Sequence, residues 1–372
     1  MDRFLGDLDQ LWTLQNRPPL HHLTWDWWWW LVMLEGDEQT PHGKQLMVLW
    51  STKDNPLVEV NGIEWKPSGR PGFDEEGGIA MEGMVAAWWF DGEKMLEPLV
   101  LTSTRIIILG GNHSQWPHKK GGAVVAVTEN ELSMGLNGDE NEFWLRLETE
   151  HDCFDLKMTP WNKPMSTARF ASASYTKNMG YEILRLHGAL CEGKIGSEEV
   201  QGTAYFQKVC VQAPSPPWFW GMLHFDDGSY LDWFIPHLSP TISAKNSLAW
   251  KKRDLSHWPL SKGGLFHDAE YQRTEIFTNL SIEHRQKNED LPEFFVELEN
   301  GRTSIKAHVC AVSRAKWDFN QPTRAGAWSH LTYNEYPLAI KSLVIENEFG
   351  VRTLKNWNTI HGNAEHSWGI LH

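Results

Sequence analysis

A run of tryptophans near the start of the chain, TWDWWWW, places one carboxylate among five indoles. Side chains alternate along a strand, so Asp26, Trp28 and Trp30 share one face, while Trp25, Trp27 and Trp29 share the other. Inside a barrel, burial among indoles would raise the pKa of Asp26 and let it donate a proton near neutral pH. The alternative is that Asp26 lies at the entrance of the strand, hydrogen-bonded to a turn, while the indoles only pack.

Aromatic and polar side chains also alternate in the second half of the chain. Trp218 and Trp220 share a face in PWFWGMLHF, and Trp233 lies on the strand that follows an Asp-Gly turn. Tyr205 and Gln207 alternate in the preceding segment GTAYFQKV. An aromatic channel with a few polar points is typical of a small-molecule pocket, and equally of a barrel core. The sequence leaves both interpretations open.

The chain contains none of the fingerprints of a P-loop NTPase, a Rossmann oxidoreductase, an α/β-hydrolase or a zincin. The segment HGNAEH has one residue too many for the inverted zinc motif H-x-x-E-H. The four cysteines lie far apart, and none forms a C-x-x-C pair. We therefore expect reduced thiols and no metal ion.

The elements that must position these side chains are strands. From Thr24 onward, short runs rich in Val, Ile, Trp, Phe and Thr alternate with turn signals such as Asp-Gly, which predicts an all-β sandwich or barrel. Apolar residues at helical spacing predict one short helix over residues 4–14. The segment 160–180, rich in Pro, Ser, Thr and Ala, predicts a boundary. We expect a helix and lead-in at 1–20, a first barrel at 21–180 and a second at 181–372.

Composition limits the classes of function. The chain has 372 residues and a formal charge of −14, which argues against a general nucleic-acid binder. No run approaches the roughly 20 apolar residues of a membrane span, and the first residues lack a secretory pattern, so we expect a cytoplasmic protein. The 22 tryptophans suit a thick core, a wall around a hydrophobic or cationic ligand, or a belt at a membrane interface.

Three segments resemble a two-domain lipocalin-like (calycin) group that contains carotenoid 1,2-hydratases, fungal Diels-Alderases and, more distantly, tocopherol cyclases. DWWWWLVMLEGD resembles the opening motif of that group, and GTAYFQKV with PWFWGMLHFDDGS resembles its Gly-x-Ala-aromatic segment, Trp-x-Trp and Asp-Gly hairpin. GNAEHSWG resembles the closing strand. The resemblance implies two lipocalin-like antiparallel β-barrels packed side by side, a hydrophobic pocket near their junction and no organic cofactor. It also implies hydration or cyclisation of polyenes, polyketides or prenylated aromatics at carbon–carbon double bonds.

The chain departs from this group at one position. Many members carry a carboxylate two residues beyond the aromatic of the Gly-x-Ala-aromatic segment, where this chain has Gln207, which cannot deliver a proton. A proton-initiated reaction would need another acid. We expect Glu365 or Asp26 to be that acid, and Asp232 is the next candidate after them. Tyr205 and the indoles would stabilise a carbocation through their ring faces. A pericyclic reaction would need only a pocket that holds the substrate in its reactive fold.

The side chains predicted to bind the ligand are mostly aromatic: Trp25, Trp27, Trp28, Trp30, Gln207, Trp218, Trp220, Trp233, His366 and Trp368. Three functions stay open. The first is cofactor-free hydration, cyclisation or isomerisation of a hydrophobic isoprenoid or polyene, and the second is a non-catalytic carrier of a lipid or isoprenoid, which Gln207 favours. The third is an assembly role with peripheral membrane contact. The expected partner is a hydrophobic small molecule and not a nucleic acid, and the sequence leaves the oligomeric state open.

Overall fold

The computed structural model describes residues 11–14, 22–38, 40–67, 71–75, 77–110, 121–138, 142–161, 168–176, 179–238, 258–287 and 290–372. Within these residues the structure is all-β, as the sequence predicted. The predicted N-terminal helix is not seen there, because residues 4–10 lie outside the described ranges and residues 11–14 form no α-helix.

The strands are numbered in chain order. The first fourteen are β1 (Thr24–Leu34), β2 (Gln45–Lys53), β3 (Val58–Val60), β4 (Ile63–Trp65), β5 (Gly72–Phe73), β6 (Ile79–Phe90), β7 (Met95–Leu109), β8 (Ala123–Ala126), β9 (Leu132–Leu136), β10 (Phe143–Glu148), β11 (Cys153–Pro160), β12 (Ala168–Thr176), β13 (Met179–Ile195) and β14 (Glu198–Gln212).

The later strands are β15 (Trp218–Phe225), β16 (Tyr230–Leu238), β17 (Trp258–Pro259), β18 (Gly263–Asp268), β19 (Arg273–Phe277), β20 (Asn279–Arg285), β21 (Glu293–Glu299), β22 (Ser304–Ala311), β23 (Ala315–Pro322), β24 (Trp328–Asn347), β25 (Gly350–Thr353) and β26 (Ile360–Ile370). A short 3-10 turn, Leu354–Asn356, precedes β26.

The first sheet closes into a ten-stranded antiparallel barrel, because β11 pairs with β10 on one side and with β13 on the other. Around the barrel the order is β11-β10-β9-β8-β7-β6-β2-β1-β14-β13. Alternation along each strand sends one set of side chains inside, and Trp28, Trp30 and Trp50 are fully buried in this interior. The last two strands, 179–212, complete this barrel although they follow the sequence-based boundary at residue 180, and the domain limits stay a prediction.

The second half of the chain forms a large antiparallel sheet in place of a second regular barrel, with the order β19-β18-β16-β15-β26-β24-β22-β21-β20. The long strand β24 joins its two parts, since its first half pairs with β23 and β26 and its second half with β22 and β25. Side chains from both parts, including Leu223, Phe294 and Leu343, share one apolar core.

The outer face of the barrel packs against this second sheet. A third apolar core joins β1, β2, β6 and β14 of the barrel with β15, β23 and β24. The indole rings of Trp88 and Trp317 meet across it with centroids 4.0 Å apart. Because both faces of these barrel strands are covered, β2 is buried along its whole length. The unbroken apolar runs of the sequence thus reflect burial on two sides.

A membrane-spanning helix is not found among the described residues, since none of them forms a helix of the length and apolarity that a bilayer requires.

Candidate functional site

A cavity of about 270 Å³ lies where the outer face of the barrel meets the second sheet. The barrel contributes side chains from β1, β13 and β14, and the second sheet contributes side chains from β15, β16, β23, β24 and β26. Its aromatic walls are Trp25, Trp27, Trp29, Tyr181, Trp218, Trp220, Phe234, Phe319 and Tyr333, and its charged or amide groups are Arg185, Gln207 and Glu365. An apolar enclosure with a few polar groups is the usual composition of a small-molecule pocket.

The alternation of side chains along β1 explains why its tryptophans form a wall of the cavity. The odd-numbered tryptophans of β1 point outward from the barrel, where the Trp29 ring lies edge-on to Trp220 with centroids 5.6 Å apart. The Trp25 and Trp27 rings meet at 5.2 Å, also edge to face. The indole N–H of Trp25 donates to Ser51 Oγ at 2.5 Å. The cavity therefore meets mainly ring carbons, whose faces attract positive charge.

Glu365 is the carboxylic acid that lines the cavity. It lies on β26, and the indole N–H of Trp218 donates to its Oε2 at 2.5 Å. Burial raises the pKa of Glu365 to about 7, although the Trp218 hydrogen bond and the Arg185 charge both act to lower it. At neutral pH the side chain is divided between its protonated and ionised forms. Such a group donates and accepts protons efficiently.

A second buried carboxyl group lies beside Glu365. Glu335 on β24 is paired directly opposite Glu365 on β26, and its side chain shares a strand face with Tyr333. Burial and the charge of Glu365 raise the pKa of Glu335 well above its usual value. The Tyr333 hydroxyl donates to Glu335 Oε2 at 3.4 Å, and Oε1 makes no hydrogen bond within the described residues. Two adjacent buried carboxyls disfavour double ionisation, so the pair retains a proton near neutral pH.

The barrel contributes a cation to the cavity. Arg185 on β13 lines the cavity, and its Nη1 lies 3.8 Å from Asp232 Oδ2. His187 Nδ1 lies 3.3 Å from the same oxygen. Next to them, the Tyr205 hydroxyl donates to Gln207 Oε1 at 3.3 Å. Burial raises the pKa of Tyr205, so its phenol stays protonated and acts as a donor. These groups form a polar layer behind an aromatic surface.

The structure brings together a large part of the predicted site. The predicted residues that line the cavity are Trp25, Trp27, Gln207, Trp218, Trp220 and Glu365. Tyr205 and Asp232 lie directly behind its wall, where they contact Gln207 and Arg185. Of the candidate acids, Glu365 is the one that faces the cavity.

Three predicted residues of β1 lie elsewhere. Trp28 and Trp30 point into the barrel interior, because they occupy the strand face opposite to the cavity. Asp26 shares that inner face, and its carboxylate lies 2.9 Å from Lys208 Nζ in a buried ion pair. Asp26 is therefore inside the barrel, as one alternative proposed, but it has a cationic partner and does not line the cavity.

Three predicted residues of the second sheet also do not line the cavity. Trp233 lies in the core of the second sheet. His366 follows Glu365 on β26 and so points to the other face, where it stacks on Phe219 with centroids 4.4 Å apart. The Trp368 ring lies 5.8 Å from His366. The resemblance to the lipocalin-like group assigned these residues to the site from their sequence segments, but it did not determine which face of its strand each side chain occupies.

Sequence analysis missed several residues of the site, namely Trp29, Tyr181, Arg185, Phe319, Tyr333 and Glu335. A signal existed for three of them, since strand alternation places Trp29 on the same face as Trp25 and Trp27. Glu335 is a single acid within the apolar strand segment LTYNEYPLAI, and Arg185 is a single cation two residues beyond Ile183 on the same face. An isolated charge inside an apolar stretch of a strand indicates a functional or structural partner.

Trp218→Phe is expected to raise the pKa of Glu365 above about 7, because the variant loses the N–H that stabilises the ionised carboxylate. Carbon-13 NMR of labelled glutamate side chains measures the change. Trp27→Phe is the matched control, since Trp27 lines the same cavity and has no hydrogen bond to Glu365. Equal shifts of the Glu365 titration in both variants would show that the indole N–H has no special role.

Comparison with known proteins finds solved structures of similar shape but low sequence identity. No protein-family model matches the chain, and no curated protein matches it. The crystal structure of a candidate AttH from Nitrosomonas europaea matches with a TM-score of 0.48 and 14% identity, over 95% of this chain and 97% of that one. The crystal structure of CghA matches with a TM-score of 0.49 and 9% identity, over 99% of this chain and 97% of that one. The fold described above rests on the strand pairing and not on these likenesses.

Proposed function

We propose that the chain catalyses a cofactor-free, acid-initiated isomerisation, cyclisation or hydration of a hydrophobic isoprenoid or polyene in the cavity between the barrel and the second sheet. The observation that carries this proposal is Glu365, a buried carboxyl group with a pKa of about 7 that faces an aromatic cavity. A pKa matched to neutral pH suits a group that must donate a proton and then take one back. The resemblance to the lipocalin-like group supports the same chemistry.

The proposed reaction begins with protonated Glu365. Its proton adds to one carbon of a double bond, the π electrons form the new C–H bond, and the neighbouring carbon becomes a carbocation. The faces of Trp29, Trp218 and Trp220 stabilise this cation by about 1–2 kcal/mol for each well-placed ring. Loss of a proton from an adjacent carbon to the Glu365 carboxylate gives an isomer, or a ring if another double bond attacks first. Capture of water with loss of its proton gives an alcohol.

Burial keeps Glu365 partly protonated at neutral pH, and the neighbouring Glu335 holds the proton that the pair retains. Because Glu335 stays neutral opposite it, Glu365 gives up its proton without a second negative charge beside it. Glu335 does not line the cavity, so we assign it a positioning role. Arg185, which also lines the cavity, offers a guanidinium to a polar end of the substrate, and this orients the double bond relative to Glu365.

The second candidate is a non-catalytic carrier for a lipid or isoprenoid. Gln207 favours it, because an amide lines the cavity at the position where the lipocalin-like group often carries a carboxylate. A carrier would bind its ligand tightly and release it with unchanged mass. The aromatic walls suit both an enzyme and a carrier, and only chemical conversion of the bound ligand distinguishes the enzyme from the carrier.

The test begins with the protein purified from its own host under native conditions, followed by organic extraction and mass spectrometry of bound molecules. Candidate isoprenoids and polyenes of the mass found are then incubated with the protein in D2O. The proposal predicts a product that carries deuterium on carbon, and about a 100- to 10,000-fold slower rate for Glu365→Gln.

Glu199→Gln serves as the control, because the Glu199 side chain is 83% exposed and far from the cavity wall. It is expected to keep the wild-type rate. Recovery of every bound molecule unchanged, from wild type and both variants alike, supports the carrier. Equal rates for wild type and Glu365→Gln would overturn the assignment of Glu365 as the acid.

A further inference from the structure

Three potential metal ligands from two adjacent strands converge on the outer surface of the second sheet. Glu293 of β21 pairs directly opposite Cys310 of β22, and His308 precedes Cys310 by two residues. The adjacent residues on the two strands, Phe294 after Glu293 and Val309 between His308 and Cys310, point into the apolar core. Glu293, His308 and Cys310 therefore share the face that points away from that core.

The contacts among these side chains meet at a single atom. His308 Nε2 lies 3.1 Å from Glu293 Oε2 and 3.6 Å from Cys310 Sγ. A ring nitrogen carries either one proton or one lone pair. It therefore satisfies either the carboxylate, as a donor, or the thiol, as an acceptor, but not both together. A cation placed between the three groups would satisfy all of them.

We propose that Glu293, His308 and Cys310 bind one Zn²⁺ ion. Zinc bonds of about 2.0–2.1 Å to nitrogen, 2.3 Å to sulfur and 2.0–2.2 Å to oxygen, at tetrahedral angles, place nitrogen and sulfur about 3.6 Å apart and nitrogen and oxygen about 3.4 Å apart. The distances of 3.6 Å and 3.1 Å across the site are close to these values. The Glu293 oxygen and the Cys310 sulfur lie within 4.8 Å of each other, against about 3.6 Å at a tetrahedral zinc ion, so these two side chains must approach by up to about 1 Å to admit the ion.

The chemistry of the three ligands favours zinc over magnesium and calcium. A thiolate and an imidazole disfavour magnesium and calcium, which prefer oxygen, and the thiolate with the carboxylate neutralises a divalent charge. The side chains of Glu293 and His308 are 48% and 26% exposed, so water reaches the fourth position. Three protein ligands and an open position are typical of zinc sites that exchange a ligand.

The histidine ring is held in place before any ion arrives. Phe295 lies opposite His308 in the strand pairing, and the two rings stack with centroids 4.2 Å apart and planes 13° apart. The guanidinium of Arg285 also lies over the Phe295 ring, 4.1 Å from its centroid. A ring fixed by packing loses little freedom when it binds a metal, which favours affinity.

The proposed zinc site is separate from the cavity and independent of the proposed reaction. None of its three residues lines the cavity. The sequence-based expectation of no metal rested on the lack of a C-x-x-C pair and on the misfit of HGNAEH to the H-x-x-E-H motif. His308 and Cys310 form only an H-x-C pair along the chain, and the third ligand lies on the neighbouring strand. A search along the chain for paired motifs does not find such a set.

The test uses the full-length, metal-free protein and Co²⁺ as a spectroscopic probe, followed by Zn²⁺. We expect one bound ion per chain and a thiolate-to-cobalt charge-transfer band that Zn²⁺ removes by displacement. Cys310→Ser should lose the band and bind Zn²⁺ at least about tenfold more weakly, since a lost ligand costs no less than a lost outer partner. Cys153→Ser is the control, because Cys153 is an exposed free cysteine outside the site.

Thermal unfolding gives a second measurement. Zinc should raise the Tm of wild type and of Cys153→Ser, because it binds the folded state, and should raise the Tm of Cys310→Ser by a smaller amount at the same zinc concentration. Glu293→Gln, a substitution at an exposed side chain, replaces Cys310→Ser if that variant does not fold, and it should weaken binding in the same direction. Absence of the band in wild type, or its persistence in Cys310→Ser, would overturn the proposal.

Discussion

Lys208→Met is expected to lower the free energy of unfolding by about 3–5 kcal/mol, because it leaves a buried carboxylate without its cation. Lys208 Nζ lies 2.9 Å from Asp26 Oδ1 inside the barrel, and the two side chains are 2% and 5% exposed. The same ammonium group also donates to the Val209 carbonyl at 3.2 Å and lies over the Trp28 ring at 4.1 Å. Urea unfolding near neutral pH measures the loss.

Lys194→Met is the matched control for this substitution. Lys194 Nζ lies 3.6 Å from Glu199 Oε1, but these side chains are 60% and 83% exposed, so we expect no measurable change in stability. The double variant Asp26→Asn with Lys208→Met should be more stable than Lys208→Met alone, because it removes the buried charge. A loss in Lys208→Met no larger than that in Lys194→Met would contradict the assignment of a strong buried pair.

Glu365→Gln is expected to remove a large part of the pH dependence of stability in the neutral range. The pKa of Glu365 is raised from 4.5 to about 7 in the folded protein, so between these values the folded state binds more protons than the unfolded chain. The free energy of unfolding of wild type therefore falls as the pH rises through this window. At about 1.4 kcal/mol for each unit of pKa, the fall due to Glu365 is roughly 3 kcal/mol.

A glutamine cannot ionise and still accepts the hydrogen bond from Trp218, so the variant avoids this fall. Near pH 4 the two proteins should have similar stability, and by about pH 8 Glu365→Gln should be the more stable by roughly 3 kcal/mol. Glu199→Gln, at an exposed side chain, should follow wild type at every pH. A difference between wild type and Glu365→Gln that stays constant across the pH range would contradict the raised pKa.

The two buried groups of ionisable side chains, the Asp26–Lys208 ion pair and the Glu335–Glu365 carboxyl pair, affect the protein differently. The ion pair inside the barrel neutralises itself, and its loss is expected to affect stability alone. The carboxyl pair at the cavity lowers stability at neutral pH, and a buried acid that is unfavourable for folding is characteristic of sites where a reaction requires it. This contrast is the reason for assigning the proposed proton transfer to Glu365 and not to Asp26.

The sequence predicted the strands well because their signals are local. Alternation in β1 correctly separated Trp28 and Trp30 from Trp25, since the face of a side chain depends only on its own strand. Which strand pairs with which is not a local property. The composition of residues 160–180 indicated a boundary, yet β13, which begins at Met179, pairs with β11 and closes the same barrel.

The site could be predicted only in part for a similar reason. Glu365 was found through its likeness to a known closing strand, but Glu335 comes from β24, and only the pairing of β24 with β26 places the two acids together. One of the two alternatives for Asp26 placed it inside a barrel, and its carboxylate lies there beside Lys208. Its partner Lys208 lies 182 residues away along the chain, and no sequence pattern links them.

The most direct measurement is a carbon-13 NMR titration of the glutamate side-chain carboxyls, with Glu365→Gln and Glu335→Gln used to assign the two resonances. The proposed proton transfer requires that Glu365 titrate near pH 7, that Glu335 titrate well above 4.5, and that the Glu335 resonance move when Glu365 is replaced. Titration of Glu365 near 4.5 would mean that it is ionised at neutral pH, and the cavity would then lack the proton that the proposed reaction needs.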